Sequence, residues 1–515
     1  MNVYVYTLGC RLNQCESEAI AEAFEKSGHS VLKTLGDDDM GHGCAKPGSV
    51  DLVIVNTCTV TSKAEQKARR MIRLFSAKCP VLVTGCYAQM SPNEIARLSG
   101  NVVVLPLSRK PELLRLPLFL SGRPQADLLE ALREFSSLKI PFHPNGSDCS
   151  SSADSSHAGS KHDESTHDDS LHADSAPKVQ VSEGRPLESS AHGVSSQEGQ
   201  ASGSSVSNFD YAPSGFTYHC RSYLKVQDGC DNNCGYCRVH IARGPSSSID
   251  ADVAVQRALE IEHRGYHEIV LTGVNLTMYD HRGRGLGGLL EKLLANLGPD
   301  MRFRLSSMEP DNVDDFLLEQ LKDPRVQPHF HIPIQSAAPK VMARINRNYS
   351  LEHLEYIVGR LREIKDDPFL ACDVITGLPA EGPDEFEQTR RFLIDNGFAM
   401  MHVFPFSPRP DTALFNAKDR APESVRDERA AVLRALALEM NQRYLERQIG
   451  RTVEAVLEEN RNGTWYGLTG NYMRVRVDGV GTSPSGRSFG GTDVIPKCGD
   501  LVRGVATSSN TMSCN

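Results

Sequence analysis

Hydrophobic and polar positions fall into four regimes along the chain. In the first 120 residues, short apolar runs at Asn2 to Tyr6, Asp51 to Val55, Pro80 to Val83 and Asn101 to Leu105 predict strands. Between them, Glu16 to Ser27, Thr61 to Ala77 and Pro92 to Leu98 predict helices, with Gly28 and Gly100 as stops. Such alternation describes a small doubly wound α/β domain over residues 1–120. From Ser121 the pattern decays, and residues 121–215 are expected to be a largely disordered linker. Order resumes at Phe216. Strands are predicted at Tyr223 to Gln227, Glu268 to Thr272, Arg302 to Ser306, His329 to Pro333, Phe369 to Ile375 and Met400 to Phe404, each but the last followed by a helical segment. That repetition predicts a parallel sheet curled into a partial (βα)6 barrel over residues 216–447, closed by a helix from Glu423 to Arg447. Beyond it, Thr452 to Glu458, Tyr472 to Val477 and Leu501 to Ala506 predict a small all-β barrel over residues 448–515.

Composition sharpens this picture at two points. The net charge of −9, taken over the whole chain, argues against nucleic acid, but residues 145–215 hold 11 acidic and 3 basic residues, hence −8, leaving about −1 for the rest. The folded parts are therefore near neutral, and local basic patches can bind RNA. There is no stretch of about 18 apolar residues, and Met1 leads into strand-like Val3-Tyr4-Val5-Tyr6 rather than a signal segment. A cytoplasmic protein without membrane contact is expected, in which fourteen cysteines argue for metal ligation rather than a disulfide framework.

The cysteines fall into two sets of three. Cys230, Cys234 and Cys237 have C-x3-C-x2-C spacing in one loop, unlike the two separated arms of a zinc knuckle. A cubane iron–sulfur cluster takes four ligands, so three thiolates leave one iron open to a small molecule. Cys10, Cys58 and Cys86 each follow a predicted strand of the first domain, in the words Thr-Leu-Gly-Cys, Asn-Thr-Cys and Thr-Gly-Cys. In a parallel sheet such strand ends share one side, so these three also converge, and a second cluster with an open iron is expected there. Polar words after the barrel strands, around Gly273, Asn275, Ser307, Glu309 and Gln335, lie where βα barrels place active sites. Lys63, Lys67 and Arg70 form a basic stripe on one helix, and Trp465, Tyr466, Tyr472, Arg474 and Arg476 give the last domain an aromatic and basic face. The stripe suits RNA or a solvated surface, and the second set suits RNA or a half-buried core with solvated charges. His157, His162, His167 and His172 recur every five residues, matching no helix or strand face, and read as linker composition.

These words resemble a known family across nearly the whole chain. The C-x3-C-x2-C loop resembles that of the radical S-adenosylmethionine (SAM) superfamily. Tyr6-Thr7-Leu8-Gly9-Cys10 with Asn13-Gln14, Val55 to Thr61, Gly85 to Gln89, Ala242-Arg243-Gly244, Leu271 to Leu276, His402 to Arg409 and Gly470-Asn471-Tyr472 resemble the methylthiotransferases, in the branch that acts on N6-threonylcarbamoyladenosine in tRNA. The Ser/His-rich insert, Arg-Val-His after Cys237 and Ala337 after Gln-Ser depart from the pattern. The resemblance implies an N-terminal methylthiotransferase domain, a radical SAM domain and a C-terminal TRAM domain that binds RNA. It also implies two [4Fe-4S] clusters, on Cys10/Cys58/Cys86 and on Cys230/Cys234/Cys237, with SAM bound to the latter and cleaved reductively. A methylthio group would then reach C2 of the modified adenine at position 37, in the anticodon stem-loop. Gly273, Asn275, Ser307, Glu309 and Gln335 are the implied lining of the SAM pocket. A flavodoxin or ferredoxin would supply electrons, while the sulfur source is left open. The alternatives are the same chemistry on isopentenyl-adenosine or on a ribosomal-protein aspartate, or a zinc-containing RNA-binding protein without catalysis.

Overall fold

Leu52-Val53-Ile54-Val55 is apolar without alternation, which suits a strand covered on both faces. A computed structural model describes residues 1–32, 50–138, 207–211, 221–480 and 496–514; the tract with the histidine repeat lies outside them. The chain begins with β1 (Asn2–Thr7), α1 (Arg11–Lys26), β2 (Ser30–Leu32), β3 (Leu52–Thr57), α2 (Ser62–Ser76), β4 (Val81–Gly85), α3 (Cys86–Met90), α4 (Pro92–Ala96) and β5 (Val102–Val104). The five strands form one parallel sheet in the order β2-β1-β3-β4-β5. Leu52 and Ile54 pack with Ile20 and Phe24 of α1 on one face, while Val53 and Val55 pack with Ala68, Ile72 and Phe75 of α2 on the other. The doubly wound expectation is met.

Order does not stop at residue 120 as the sequence suggested. After α5 (Leu116–Leu120) comes α6 (Leu128–Ser137), whose Leu128, Ala131, Leu132 and Phe135 form an apolar stripe buried in the α1-side core. Ser121-Gly122-Arg123-Pro124 interrupts the pattern and hides this stripe. Tyr211 is buried in the same core, so the chain returns to this domain before the barrel begins.

The second part comprises β6 (Ser222–Lys225), β7 (Gln227–Asp228), α7 (Val239–Arg243), β8 (Ser247–Ser248), α8 (Ala251–His263), β9 (Glu268–Thr272), α9 (Gly285–Asn296), β10 (Arg302–Leu305), α10 (Asp315–Leu321), β11 (His329–Gln335), α11 (Pro339–Arg344), α12 (Leu351–Ile364), β12 (Phe369–Thr376), α13 (Pro383–Asp395), β13 (Met400–Pro405) and α14 (Glu423–Gln448). Six strands make two parallel ladders, β6-β9-β10 and β11-β12-β13, joined through the bridges Phe303–Val326 and Ser307–His331. Phe303, Leu305, Phe330, Ile332, Cys372 and Val403 pack in the core beneath the helices, so the residues between them face inward. Helix α1 lies against part of that inner face, with Cys15 packed on Tyr223 and Val270. Among the described residues no helix is long and apolar enough to cross a membrane.

The chain ends in β14 (Thr452–Arg461), β15 (Thr464–Thr469), β16 (Arg474–Asp478), β17 (Leu501–Ser508) and β18 (Thr511–Ser513), a closed barrel in the order β14-β15-β16-β18-β17. β15 was missed from sequence although Asn462-Gly463 signals the hairpin; both residues have positive φ, +52° and +86°, as such a two-residue turn requires. Tyr472, expected on an RNA face, is instead a peg between domains. Its ring stacks on His329 at 4.1 Å, and its hydroxyl accepts from Arg11 Nη2 at 2.6 Å. Beside it the buried Arg304–Glu268 pair, at 2.8 and 2.9 Å, also donates to the Thr469 and Gly470 carbonyls, which fastens the small barrel to the strand ends.

Candidate active site

The order β2-β1-β3-β4-β5 reverses direction at β1/β3, and the crevice outside the strand ends at such a point is where doubly wound sheets bind ligands. Cys10 caps α1 directly after β1, Cys58 follows β3, and Cys86 opens α3 directly after β4. Gly9 has φ +110°, and a Cβ there would stand 2.8 Å from Cys58 Cβ and 3.1 Å from its sulfur. At Gly85, with φ +98°, a Cβ would lie 2.4 Å from the Thr57 carbonyl oxygen. The Gly-Cys words are thus required by close approach as well as by turning. Asn13 Nδ2 donates to the Leu8 and Thr57 carbonyls at 2.8 and 3.1 Å, and Asn56 Nδ2 to Asn13 O at 2.9 Å, so two asparagines tie the strand ends together. Burial, with Cys86 and Cys10 adding, pushes the Cys58 thiol up to about 12. Three crowded thiols of this kind become thiolates when a bound cation supplies compensating charge.

A buried ionic group sits next to Cys86. Arg243 Nη1 donates to Asp228 Oδ1 at 2.8 Å and Glu16 Oε1 at 3.3 Å, while Nη2 reaches Asn13 Oδ1 at 2.8 Å. Lys225 bridges Glu16 and Asp228 at 2.9 and 2.7 Å, and Lys110 pairs with Glu16. Three cations against two carboxylates leave one positive charge. A cubane held by three thiolates carries one net negative charge in its oxidised state, so the group complements a cluster on the Cys10/Cys58/Cys86 triad. Arg243 opposes the upward pull of burial on Cys86, in agreement with that placement.

The Cys230/Cys234/Cys237 loop leaves the barrel after β7. Its glycines are dictated by neighbours: at Gly229, with φ +72°, a Cβ would lie 1.9 Å from Pro245 O, and at Gly235 it would meet Leu414 Cγ at 2.9 Å. Gly235 is also held at both ends of its peptide unit, by Ile345 O and Leu414 N at 2.9 Å each. Arg347 Nη1 approaches Cys234 Sγ at 3.5 Å and Tyr236 OH at 3.3 Å, and its Nη2 pairs with Glu309 and donates to Pro333 O at 2.7 Å. Burial raises Glu309 above the usual carboxylate range, with Arg347 opposing.

The candidate cofactor-lining residues divide. Glu309 stands beside the cysteine loop through Arg347. Gly273 and Asn275 are fixed by Gln227, whose Oε1 accepts from Val274 N at 2.9 Å and Asn275 N at 3.0 Å while its Nε2 reaches Gly229 O at 2.8 Å. Gly273 is glycine because a Cβ would lie 2.7 Å from Gln227 Oε1. Ser307 pairs with His331 across the two ladders. Gln335 ends β11 with φ +62°, after an irregularity in register with β12. Asn275 Nδ2, Thr272 Oγ1 and Ser306 Oγ are buried without a hydrogen-bond partner at the ends of β9 and β10, which leaves polar capacity for a ligand at this rim. Sequence reasoning missed Gln227 and Arg347. Gln227 adjoins the cysteine loop and was readable as its start, whereas nothing local marks Arg347.

Of the two RNA candidates, Lys63, Lys67 and Arg70 are exposed on α2, whereas Arg69 turns aside to Tyr87 OH at 2.8 Å. On the small barrel Arg461, Tyr466, Arg474 and Arg476 line one concavity, while Trp465 packs against the core.

Comparisons with known proteins agree with this arrangement. Residues 224–393 match the radical SAM superfamily, and residues 2–105 match the uncharacterized protein family UPF0004. The threonylcarbamoyladenosine tRNA methylthiotransferase MtaB of Treponema pallidum (strain Nichols) is 34% identical over 484 residues, covering 92% of this chain and 94% of the relative. The protein of the same name in Thermotoga maritima is 30% identical over 477 residues, covering 91% and 88%. A tRNA-2-methylthio-N(6)-dimethylallyladenosine synthase of Endomicrobium trichonymphae is 26% identical over 488 residues, covering 93% and 94%. Identity of this degree over nine-tenths of both chains means that the chain belongs to the radical SAM methylthiotransferase family, among the threonylcarbamoyladenosine tRNA methylthiotransferases.

Proposed function

We propose that the protein transfers a methylthio group to C2 of N6-threonylcarbamoyladenosine at position 37 of tRNA. The observation that carries this reading is the adjacency of two cysteine triads within a chain of this family. Arg243, in the short helix that follows Cys237, lies against Cys86 in the hydrogen-bonded group that also holds Glu16 and Asp228. When bound, one cluster supplies reductive cleavage of SAM and the other the sulfur to be transferred.

The chain's own residues hold and orient. Cys230, Cys234 and Cys237 are the ligands of the SAM cluster, and Cys10, Cys58 and Cys86 those of the second. Glu309 and Arg347 offer one anion and one cation beside Cys234, matching the amino and carboxylate ends of a zwitterionic amino acid. Gln227 keeps the cysteine loop and the Gly273 turn in fixed register, which holds Asn275 beside the loop, while Ser307 and Gln335 approach the rim from β10 and β11. Residues 1–138 act as the methylthiotransferase domain, 221–448 as the radical SAM domain, and the terminal barrel as a TRAM domain whose Arg461, Tyr466, Arg474 and Arg476 concavity meets the anticodon stem-loop. A small electron-transfer protein of the flavodoxin or ferredoxin kind delivers the electrons.

The test is nucleoside mass spectrometry of tRNA from cells with and without the protein. Loss of the 2-methylthio form, with threonylcarbamoyladenosine accumulating, is the expected result. An unchanged nucleoside profile sinks the reading.

A further inference from the structure

α1 covers the inner face of β6 and β9, through Cys15 on Tyr223 and Val270 and through Glu16 on Lys225. The inner face of β11, β12 and β13 is different: it carries His331, Asp373 and His402. Their strand neighbours Ile332, Cys372, Val374, Met401 and Val403 face the helices, so these three face the lumen. One side-chain nitrogen or oxygen of each lies within 4.8 Å of the others. His331 Nε2 is 3.2 Å from Asp373 Oδ1 yet makes no aligned hydrogen bond, so its N–H can turn to a ligand. The rings of His331 and His402 stand 5.6 Å apart.

The surroundings place this group between the two triads. Asp373 acts electrostatically on Glu309, whose partner Arg347 reaches Cys234, and His331 pairs with Ser307 at the proposed SAM rim. On the other side stands Arg11, the residue after Cys10. Burial holds His402 below the usual imidazole range; Asp373 opposes, while His331 and Arg11 add to the lowering. His402 offers an exposed ring nitrogen to a ligand, and Arg11, whose guanidinium also bonds Tyr472, supplies the fixed charge.

On the reading that the substrate is N6-threonylcarbamoyladenosine, we propose that Arg11, His331 and His402 form the pocket that recognises the carboxylate of the threonylcarbamoyl group, with Asp373 steadying His331. The base has to reach both triads, and the inward-facing donors of β11 and β13 are on the part of the lumen that α1 leaves open to its side chain. A dimethylallyl group offers nothing to two imidazoles and a guanidinium, and would set an apolar surface against their donors where a carboxylate would accept from them. A site built to hydrogen-bond one group rejects an analogue lacking it far more strongly than a hydrophobic slot does.

The experiment uses the full chain, reconstituted anaerobically, with two anticodon stem-loop RNAs. One bears threonylcarbamoyladenosine, and the other the same nucleoside with its carboxylate converted to a carboxamide. SAM cleavage without RNA identifies variants whose cofactor loop is intact. The wild type should favour the carboxylate RNA by about 100-fold or more in kcat/KM. His402→Leu and Arg11→Met should lose that preference through KM, and His402→Gln, which keeps a donor, should recover part of it. Retained preference in both variants overturns the proposal, as does equal loss on both RNAs, which means a structural role. Divalent metal beyond the clusters that disappears with His402→Leu also overturns it, in favour of a metal site. A wild type inert on both RNAs defeats the functional reading itself, a result distinct from any of these.

Discussion

The two cysteine triads are built in opposite ways. Cys230, Cys234 and Cys237 belong to one loop, and their spacing alone brings them together, with Gly229 and Gly235 making room for the turns. Cys10, Cys58 and Cys86 converge only because β1, β3 and β4 are neighbours in a parallel sheet. The first triad is a local property of the eight residues Cys230 to Cys237, whereas the second is a property of the sheet. A local site survives changes elsewhere that a convergent one does not, and the two should fail separately.

The largest test removes one ligand from each. Cys234→Ala is expected to abolish 5′-deoxyadenosine formation from SAM while about half of the iron remains. Cys58→Ala should preserve SAM cleavage but yield no methylthiolated nucleoside. Loss of all iron and all cleavage from folded Cys58→Ala would show that the triads are not independent.

Glycine substitutions sharpen the same contrast. Gly229→Ala forces a Cβ to 1.9 Å from Pro245 O and should cost the loop its cluster, read as the loss of about half of the visible absorption. Gly244→Ala, at φ +76° and ψ −164° with nothing within 4 Å, carries only the backbone strain of about 1–3 kcal/mol, and its cluster should remain. Equal loss in both would mean that strain, rather than the Pro245 contact, controls the loop.

Arg243 belongs to both regions, so Arg243→Gln tests their coupling. It leaves Glu16 and Asp228 buried with one cation fewer, and a loss of about 3–5 kcal/mol is expected in denaturant unfolding. A change under 1 kcal/mol would show that water takes over the role of the guanidinium.

Acid should act on the joint between the large and small barrels. Glu268 is buried, which alone raises its pKa, but Arg304 overrides burial and holds it below the ordinary 4.5. Its contribution is therefore present above pH 4.5 and is lost as pH falls through the lower folded value. Glu268→Gln should flatten stability against pH in that acid window, and an unchanged slope would assign acid unfolding to other carboxylates. The smallest effect is expected at the exposed Arg474 and Arg476. Alanine at either should move stability by no more than about 0.5 kcal/mol, while lowering the salt slope of tRNA binding by about one. Unaltered salt dependence in the double variant would remove this face from the RNA interface.

What the sequence revealed follows the same division. The loop triad, the strand ends of both sheets and the glycines at them were legible, because each is a short word next to a periodic run. Helix α1 was placed too late, at Glu16 instead of Arg11, since Asn13, Glu16, Ser17 and Glu18 are buried polar residues that read as a surface. Their partners Lys110, Lys225 and Arg243 lie far along the chain, and no local rule pairs them. His331, Asp373 and His402 were likewise invisible as a group, being one polar inward position on each of three strands. Tyr472 was misassigned because an aromatic next to arginines has the composition of an RNA face, while its φ of +64° and its stacking partner His329 appear only in three dimensions.

The hydrogen bond from Arg11 to Tyr472 spans 461 residues of sequence. During synthesis at about 5–20 residues per second, the first helix therefore waits on the order of half a minute or longer before its final partner leaves the ribosome. By then Asn13 and Glu16 have met Leu8, Thr57, Lys110, Lys225 and Arg243, so Arg11 is the last of the helix's anchors to be placed. The helix that carries Cys10 is thus fastened in stages, first within its own domain, then to the large barrel through Lys225 and Arg243, and last to the terminal one through Tyr472.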